Sequence, residues 1–457
     1  MSLRIATGGV AALRGGDGHR YDSAVRRRRQ RGLAWPPRES SRRAAGLAAA
    51  AAVGAGGIVA LLRWRLWSSG VPDVDPAPLT DWFDPGELAR NEDYRRGVWT
   101  MAVVGAPLAA ATAVGVALLG PRWRPGLVRA AKAKPWRAGA LFGAGLTIAT
   151  TAVVLPLSVA RYAWGRDFGI VTQGVPAWLL DQAKGLGIQV VLSAAVGAGA
   201  AVLIARVPRW WWAVVAAGAG ALIYAMSLLS PLLLEPIFQR TEPLRDPALS
   251  AQVLELADRA GVEADDVKVN DASRRTTAAN AYVSGLGDSR HIVLYDTLLR
   301  DFPRDQVRMV VAHELAHVER RHVLKGSTWG AALAVPACLL VFAVVGWRTG
   351  FAAAGRGGAG TELVVRRLAV AAAAAAVIGV ASAPLGTWVS RAFEREAEWR
   401  GLAISEDPDA AIGLQQGLVE RSLGVPNPPE AIQVWFGTHP PALERIAMAL
   451  RARDGDG

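Results

Sequence analysis

Cysteine, histidine and charged residues are all scarce in this chain of 457 residues. Cys338 is the only cysteine, so the chain has no intrachain disulfide and no cysteine-based zinc site. Charged residues make up 20% of the chain and hydrophobic residues 52%, which is richer in apolar residues than a typical soluble domain. The composition therefore predicts a membrane protein.

Seven stretches contain no aspartate, glutamate, lysine, arginine or histidine. Each is long enough for a bilayer core, which needs about 20 mostly apolar residues. Tryptophans such as Trp64, Trp136 and Trp388 stand at or just beyond the ends, where an amphipathic ring suits the headgroup level. We predict seven transmembrane helices and disfavour the alternative, buried helices of a large soluble protein. The stretches are residues 44–62, 98–119, 138–160, 185–205, 210–234, 328–347 and 368–388.

The net charge of +12 is concentrated in residues 1–43, which hold 11 arginines and three acidic residues. A polybasic arm before a first span is typical of a topology signal and of contact with anionic lipids, and this interpretation is favoured over nucleic-acid binding. The arm is too long, and too poor in a small-residue cleavage site, for a signal peptide. We expect it to be disordered, and we expect no nucleic-acid partner.

Soluble chemistry is confined to two polar segments, residues 235–327 and 389–457. Three short runs in the first segment are rich in Val, Ile and Tyr and predict strands, the last two of them joined as a hairpin. These runs are Asp266–Asn270, residues 280–285 and His291–Tyr295. A helix is then predicted from Pro303 towards Lys325 and Gly326, because proline suits a first helical position and a basic turn with glycine suits an end.

That predicted helix carries the sequence MVVAHELAHVERRH, with three of the six histidines of the chain. Residues four apart share a helix face, so His313 and His317 can present two imidazoles to one zinc ion. Glu314 can then take a proton from a water whose pKa zinc lowers to about 7. Chance would produce this pattern about 0.007 times in such a composition. The alternative is a solvated, charged helix face. His322, five residues after His317, lies off the ligand face and is predicted to be a helix-end or interface residue.

A catalytic zinc needs a third protein ligand and an open fourth position. The sequence SRAFEREAEWRG follows the seventh span, and within it Glu394 and Glu398 share a helix face while Glu396 points elsewhere. One of the pair can bind zinc, and the other can hydrogen-bond a ligating histidine. Two spans separate His317 from Glu394, so the chain returns to the same side of the membrane. The alternative is a charged helix beside the membrane.

Five ordered motifs around seven spans resemble the type I CAAX prenyl protease family of integral-membrane zinc endopeptidases, over most of residues 44–450. The motifs are EPIFQRTEPL (235–244), NAYVSGLGDSRHIVLYDTLL (280–299), HELAHVERRH (313–322), SRAFEREAE (390–398) and HPPALERI (439–446). The resemblance implies a multi-pass α-helical protein whose seven spans enclose a chamber. It also implies a mostly helical zinc-protease region with a small β-sheet.

Carried over by position, the resemblance makes His313, His317 and Glu394 the ligands of one zinc ion per chain. It makes Glu314 the general base. The family has aspartate where this chain has Glu398. The extra methylene of glutamate is expected to shift the hydrogen bond between this side chain and a ligating histidine.

The resemblance also implies how a peptide or protein substrate is held. Asn280, His439 and Arg445 would line the cleft and stabilise the peptide or the developing oxyanion. The strand edge formed by Ala281, Tyr282 and Val283 would pair with the extended substrate. The alternatives are that Asn280 caps a turn and that HPPALERI starts a docking helix.

The resulting domain plan has four parts. Residues 1–43 form the arm, 44–244 the five-span region, 245–450 the metallopeptidase region with its two spans, and 451–457 a disordered tail.

Charge and resemblance disagree about the side of the active site. In eukaryotic family members the catalytic segment faces the cytoplasm. With the N-terminus inside, the inside segments of this chain hold 23 basic residues and the two short outside loops hold eight, which favours an extracytoplasmic His313. The 46 arginines against five lysines, with abundant Ala and Gly, indicate a GC-rich bacterial genome and hence a bacterial plasma membrane.

The leading hypothesis is a membrane-embedded zinc metalloendopeptidase that cleaves peptides or membrane and exported proteins, since a bacterium is expected to lack prenylated substrates. The alternative is a catalytically inactive zinc-containing sensor or binding protein. Transport is disfavoured, because the spans carry no Asp, Glu, Lys, Arg or His, which transport pathways usually place within the membrane. The oligomeric state is not predicted.

Overall fold

A computed structural model describes residues 38–67, 70–86, 88–233, 235–285, 290–351 and 360–455. Most of the predicted arm, residues 1–37, lies outside these ranges, as do the last two residues of the predicted tail. Within these ranges the N-terminal part is mainly helical, with five long α-helices and one short one. They are α1 (Arg38–Trp67), α2 (Ala89–Leu118), the short α3 (Gly120–Ala130), α4 (Pro135–Asp167), α5 (Val175–Arg206) and α6 (Trp211–Leu233).

Small residues allow the backbones of α4 and α5 to approach closely. A Cβ added at Gly139 would overlap the backbone oxygen of Gly197, and one added at Gly143 would overlap that of Ser193. Close approach through small residues is how helices associate in lipid, where apolar side chains gain nothing by leaving the solvent. The glycine-rich composition of these spans therefore has a packing role.

A small mixed sheet follows the fifth span and the short α7 (Glu235–Phe238). Its strands lie in the order β1-β2-β4-β3, with β2 and β4 parallel and the other two pairs antiparallel. The three predicted strands are all present, although the turn of the hairpin, residues 286–289, lies outside the described ranges. β1 was not predicted. The strands are β1 (Thr241–Pro243), β2 (Asp266–Asn270), β3 (Ala281–Ser284) and β4 (His291–Tyr295), with α8 (Pro247–Arg259) between β1 and β2.

The helix predicted from Pro303 towards Gly326 is in fact two helices, which corrects the sequence-based boundary. After α9 (Asp296–Asp301), α10 (Arg304–Glu319) ends six residues short of Lys325, and α11 (His322–Thr349) begins anew. Arg321 between them has a left-handed backbone, with φ 53°. A non-glycine residue pays for this conformation, so tertiary packing rather than local preference sets the break. His322 is thereby turned back towards α10.

The seventh span continues well past its predicted end at Trp388. α12 (Thr361–Ser405) is one continuous helix of 45 residues, so Glu394 and Glu398 are held rigidly by the membrane-spanning element itself. A Cβ at Gly401 would lie 3.1 Å from the backbone nitrogen of His313, which shows how closely α12 approaches α10. The chain ends with α13 (Pro408–Arg421), α14 (Glu430–Phe436) and α15 (Ala442–Arg453).

Within the described residues, seven helices are long and apolar enough to cross a membrane, as predicted: α1, α2, α4, α5, α6, α11 and α12. A cavity of about 590 Å³ lies among α2, α4, α5 and α12, lined mainly by alanine and threonine. The polar region has its own core, in which Leu294, Met309, Leu315 and Ile446 are fully buried. This core fixes α10 between the sheet and α12.

Candidate metal centre

Three potential ligand atoms converge where α10 meets α12. His313 Nε2 lies 3.2 Å from His317 Nε2 and 3.1 Å from Glu394 Oε2, and His317 Nε2 lies 3.5 Å from the same oxygen. The helical spacing of the two histidines and the close crossing at Gly401 produce this meeting. The predicted ligand triad is therefore brought together from residues that are 81 positions apart along the chain.

The geometry and the donor types fit zinc. Tetrahedral zinc with ligands at about 2.0–2.1 Å places neighbouring donor atoms about 3.3–3.4 Å apart. The three observed separations, 3.1, 3.2 and 3.5 Å, lie around that value. Two imidazole nitrogens and one carboxylate oxygen are also a common catalytic zinc set.

The electrostatics of the centre favour a bound cation. Burial by itself lowers the pKa of His313, but the neighbouring carboxylates of Glu394 and Glu398 outweigh burial and raise that pKa to about 9. Without a metal, the ring therefore holds a proton at neutral pH. A metal ion would displace that proton and take over its role of neutralising the two carboxylates.

Glu398 is fully buried behind His313. Its Oε2 accepts hydrogen bonds from Arg445 Nε at 2.9 Å and from the second nitrogen of the same guanidinium at 2.6 Å. The same oxygen lies 3.2 Å from His313 Nδ1, close enough for a charge contact, although the angle is not that of a hydrogen bond. A glutamate therefore reaches the far side of the first histidine despite the extra methylene.

Glu314 borders a pocket of about 110 Å³ beside the three ligand atoms. Asn280, His439 and Arg445 line the same pocket, so the predicted base and the predicted cleft residues surround one space. Burial raises the pKa of the Glu314 carboxyl above its usual range. His439 Nε2 lies 3.2 Å from Glu394 Oε2, so its ring faces the metal ligands. The apolar wall consists of Leu298, Val310, Leu414 and Leu418.

The strand β3 has one free edge, because among the described residues it pairs only with β4. Glu235 holds β3 in position through two of the strand's side chains. The sequence did not indicate a role for this residue. Tyr282 Oη lies 2.6 Å from Glu235 Oε1, and Ser284 Oγ donates to Glu235 Oε2 at 2.9 Å. The connector after the fifth span thus anchors the strand that was predicted to bind substrate.

His322, predicted to be a helix-end or interface residue, begins α11 and contacts a proposed ligand, and Glu396 was not assigned a role from the sequence. His322 Nδ1 lies 2.9 Å from His317 Nδ1, and His322 Nε2 lies 3.1 Å from Glu396 Oε2. This contact was not predicted because residues 303–326 were predicted to form one unbroken helix, in which residues five apart do not share a face. The left-handed Arg321 brings the ring back, and no glycine or proline marks that position in the sequence.

Comparisons with known proteins agree with this arrangement. The family model described as peptidase family M48 matches residues 243–453, and the one described as CAAX prenyl protease N-terminal, five membrane helices, matches residues 71–240. The uncharacterized metalloprotease YhfN of Bacillus subtilis is 30% identical over 314 residues, which are 66% of this chain and 71% of YhfN. CAAX prenyl protease 1 of Saccharomyces cerevisiae is 31% identical over 186 residues, which are 39% of this chain and 40% of that protein.

Among solved structures, the crystal structure of Ste24p from S. mikatae is similar to this chain, with a TM-score of 0.66 and 18% sequence identity. The superposition covers 87% of this chain and 98% of that one, which shows a shared fold.

Proposed function

Because this chain belongs to peptidase family M48, as a CAAX prenyl protease-like zinc metalloprotease of the membrane, we propose that it is an endopeptidase acting on peptides or on membrane and exported proteins. The observation that carries the proposal is the meeting of His313, His317 and Glu394 within 3.5 Å, with Glu314 beside them on a shared pocket. Zinc held by these three residues would supply a Lewis acid that acidifies water and polarises a peptide carbonyl.

The residues around the pocket have separate tasks under this proposal. Glu314 accepts the proton of the attacking water and returns it to the leaving nitrogen, which its raised pKa suits. His439 and Arg445 face the same space and donate hydrogen bonds to the developing oxyanion. Glu398 keeps the His313 ring in place from behind.

The free edge of β3 supports the choice of substrate. An extended peptide that adds to Ala281, Tyr282 and Val283 is held by backbone hydrogen bonds, which depend little on its sequence. Asn280, exposed at the start of the strand, would bind the peptide next to the pocket. This suits turnover of unfolded or membrane-inserted segments. Prenylated C-terminal peptides, which the name of the yeast relative suggests, are not expected in a bacterium.

The chain is a multi-pass integral membrane protein, and we place it in a bacterial plasma membrane, which the likeness to the Bacillus relative supports. The excess of basic residues in the segments predicted to be inside favours a metal centre outside the cytoplasm. Reporter fusions after residues 43 and 300 test this: a cytoplasmic signal at 300 would contradict it.

Removal of the metal is the direct test of the proposed activity. The detergent-purified full chain is expected to contain one zinc ion and to lose its peptidase activity when a chelator removes that ion. Added zinc restores activity, whereas magnesium does not, because magnesium prefers oxygen ligands in octahedral geometry. Metal analysis and cleavage of an internally quenched peptide measure both effects. Full activity in a zinc-free preparation would refute the proposal.

The alternative, a catalytically inactive sensor, differs from the peptidase in what occupies the fourth position on the metal. A sensor with a structural site needs a fourth protein ligand, whereas a catalytic site keeps a water there. His439 Nε2 lies close enough to Glu394 to be considered, but its side chain is 55% exposed. Cobalt substitution followed by absorption spectroscopy, with and without His439→Ala, distinguishes the two. A spectrum that is unchanged by His439→Ala supports the peptidase.

A further inference from the structure

His322 and Glu396 are buried polar residues that the proposed chemistry does not use. Their exposed fractions are 5% and 7%, which are low for an imidazole and a carboxylate. Both lie behind His317, on the side away from the three ligand atoms. Buried polar groups need hydrogen-bond partners, and here the partners form a chain of three residues that ends at a proposed zinc ligand.

The positions of the protons follow from the ligand role of His317. A neutral histidine that binds zinc through Nε2 carries its proton on Nδ1 and donates it to an acceptor. The neighbour of that atom is His322 Nδ1, at 2.9 Å. His322 Nδ1 must therefore accept, which puts the His322 proton on Nε2. That atom lies 3.1 Å from Glu396 Oε2, a carboxylate that accepts it. Each N–H donor in this three-residue chain thus meets one acceptor.

The surroundings hold this chain in one arrangement. The His322 ring stacks on Phe393, with centroids 4.8 Å apart and an interplanar angle of 13°. Glu396 is also approached by Arg320 Nε at 3.4 Å and by Lys325 Nζ at 3.7 Å. These two cations stabilise the carboxylate in its charged form. The arrangement parallels that of His313, which is backed by Glu398 and Arg445.

We propose that His322 and Glu396 are positioning residues for the second zinc ligand. They fix the tautomer and the ring orientation of His317 and so increase the zinc affinity of the centre. This inference rests on the proposed role of His317 as a ligand. It assigns a role to the left-handed break at Arg321, which turns His322 onto the preceding helix.

Two substitutions of His322 test the hydrogen-bonded chain from His317 through His322 to Glu396, which we call the relay. His322→Phe keeps an aromatic ring on Phe393 but removes the acceptor, and it is expected to weaken zinc binding about 10–100-fold. His322→Gln supplies an amide oxygen as acceptor and is expected to recover most of the affinity. Chelator competition on the purified full chain measures the dissociation constant, and the cobalt-substituted absorption spectrum reports the geometry at His317. His291→Phe, on β4, is the matched control and should leave both unchanged.

The outcomes separate the relay from the proposed function. Unchanged zinc affinity in a folded His322→Phe protein would overturn the relay, as would equal losses in the Phe and Gln variants. If His317→Ala also bound zinc as tightly as the wild type, the ligand assignment itself would fail. Thermal unfolding of the metal-free proteins shows that each variant is folded.

A basic pocket of about 330 Å³ lies at the start of the fourth span, away from the metal centre's ligands. Its cationic side chains are those of Lys184 on α5 and of Arg240, Arg274 and Arg275 on the segments around β1 and β2. Asp181 is the only carboxylate among its lining residues. A pocket with four cations and one acid is suited to an anionic ligand.

The carboxylates near the pocket do not balance its four cations. Arg275 pairs with Asp181 at 3.2 Å, and Arg274 pairs with Asp271 at 3.4 Å. Lys184 Nζ donates to the backbone oxygen of Ile237 at 3.1 Å. In the part of the chain that the structure describes, neither Lys184 nor Arg240 forms an ion pair with a carboxylate. The pocket therefore keeps a net positive charge.

Two apolar side chains that line the pocket are exposed. Leu180 is 56% exposed and Ile237 40% exposed, and both line the pocket. Lys184 directly precedes the uncharged stretch that begins at Gly185, so it lies at the level where the bilayer core starts. Cationic side chains beside exposed apolar ones at this level match the phosphate headgroup of an anionic lipid.

We propose that this pocket binds the phosphate of an anionic glycerophospholipid. Native mass spectrometry of the full chain in detergent, titrated with phosphatidylglycerol, is expected to show one tightly held lipid. Replacement of both Lys184 and Arg240 by alanine should weaken it about 30-fold, since each basic residue near a membrane surface contributes to anionic lipid binding. The matched control replaces Lys134 and Arg209, two exposed cations at the other end of the spans, and should keep the lipid.

Further titrations identify the source of the phosphate. Equal retention of phosphatidylcholine, or equal losses in the pocket and control variants, would overturn the proposal. Inorganic phosphate that binds as tightly as the lipid would assign the pocket to the free ion and would also overturn it.

Discussion

Replacing Glu314 with glutamine is expected to lower the kcat of peptide cleavage by about 10²–10⁴-fold, the usual contribution of a general base. The amide occupies the same place beside the pocket but cannot accept a proton. Glu314 is not one of the three ligands, so the variant should bind zinc as the wild type does. Cleavage of an internally quenched peptide, together with metal analysis of the same sample, measures both quantities.

The control for this experiment is Glu319→Gln, the same substitution on the same helix. The Glu319 carboxylate accepts a hydrogen bond from Arg400 Nε at 2.8 Å and does not line the pocket, so its loss should leave kcat near the wild-type value. A Glu314→Gln protein that retains zinc and full activity would contradict the assignment of the base. Loss of zinc in that variant would instead indicate a role in holding the metal.

The sequence was sufficient for the membrane architecture because its signal is strong and local. A stretch of about 20 residues without a charge has few stable alternatives to a transmembrane helix. The same is true of β2 and β4, whose β-branched runs are short and bounded by polar residues. For Glu394, an even number of intervening spans was enough to place the residue on the side of His313, before any distance was known.

Features set by tertiary contacts were not predictable in this way. Nothing local marks the left-handed Arg321, and so the contact between His322 and His317 could not be derived from helical spacing. β1 is a three-residue strand that ends in proline, and it pairs only because β2 offers an edge. The bond between Arg445 and Glu398 joins residues 47 positions apart, with no periodicity to reveal it.

The bond between Arg445 and Glu398 helps to neutralise the buried carboxylate behind the metal centre. The Glu398 side chain is 1% exposed, and Arg445 is the permanent cation that faces it, since the proton or metal on His313 is shared with Glu394. Arg445→Met is expected to destabilise the protein by about 3–5 kcal/mol, since it removes the permanent charged partner and both hydrogen bonds of a buried carboxylate. The thermal midpoint of the detergent-purified chain measures the loss. Arg453→Met, on the same helix, removes a pair with Asp409 that is exposed and should cost at most about 1 kcal/mol.

A double variant separates the two tasks of Arg445. When Glu398→Gln is added to Arg445→Met, no charge remains to be compensated, and most of the lost stability should return. Peptidase activity should stay low, because the pocket still lacks the cation proposed to stabilise the oxyanion and His313 lacks its carboxylate. If the double variant recovered activity along with stability, Arg445 would act only on the fold. If the single variant melted like the wild type, His313 or water rather than Arg445 would be compensating Glu398 in solution.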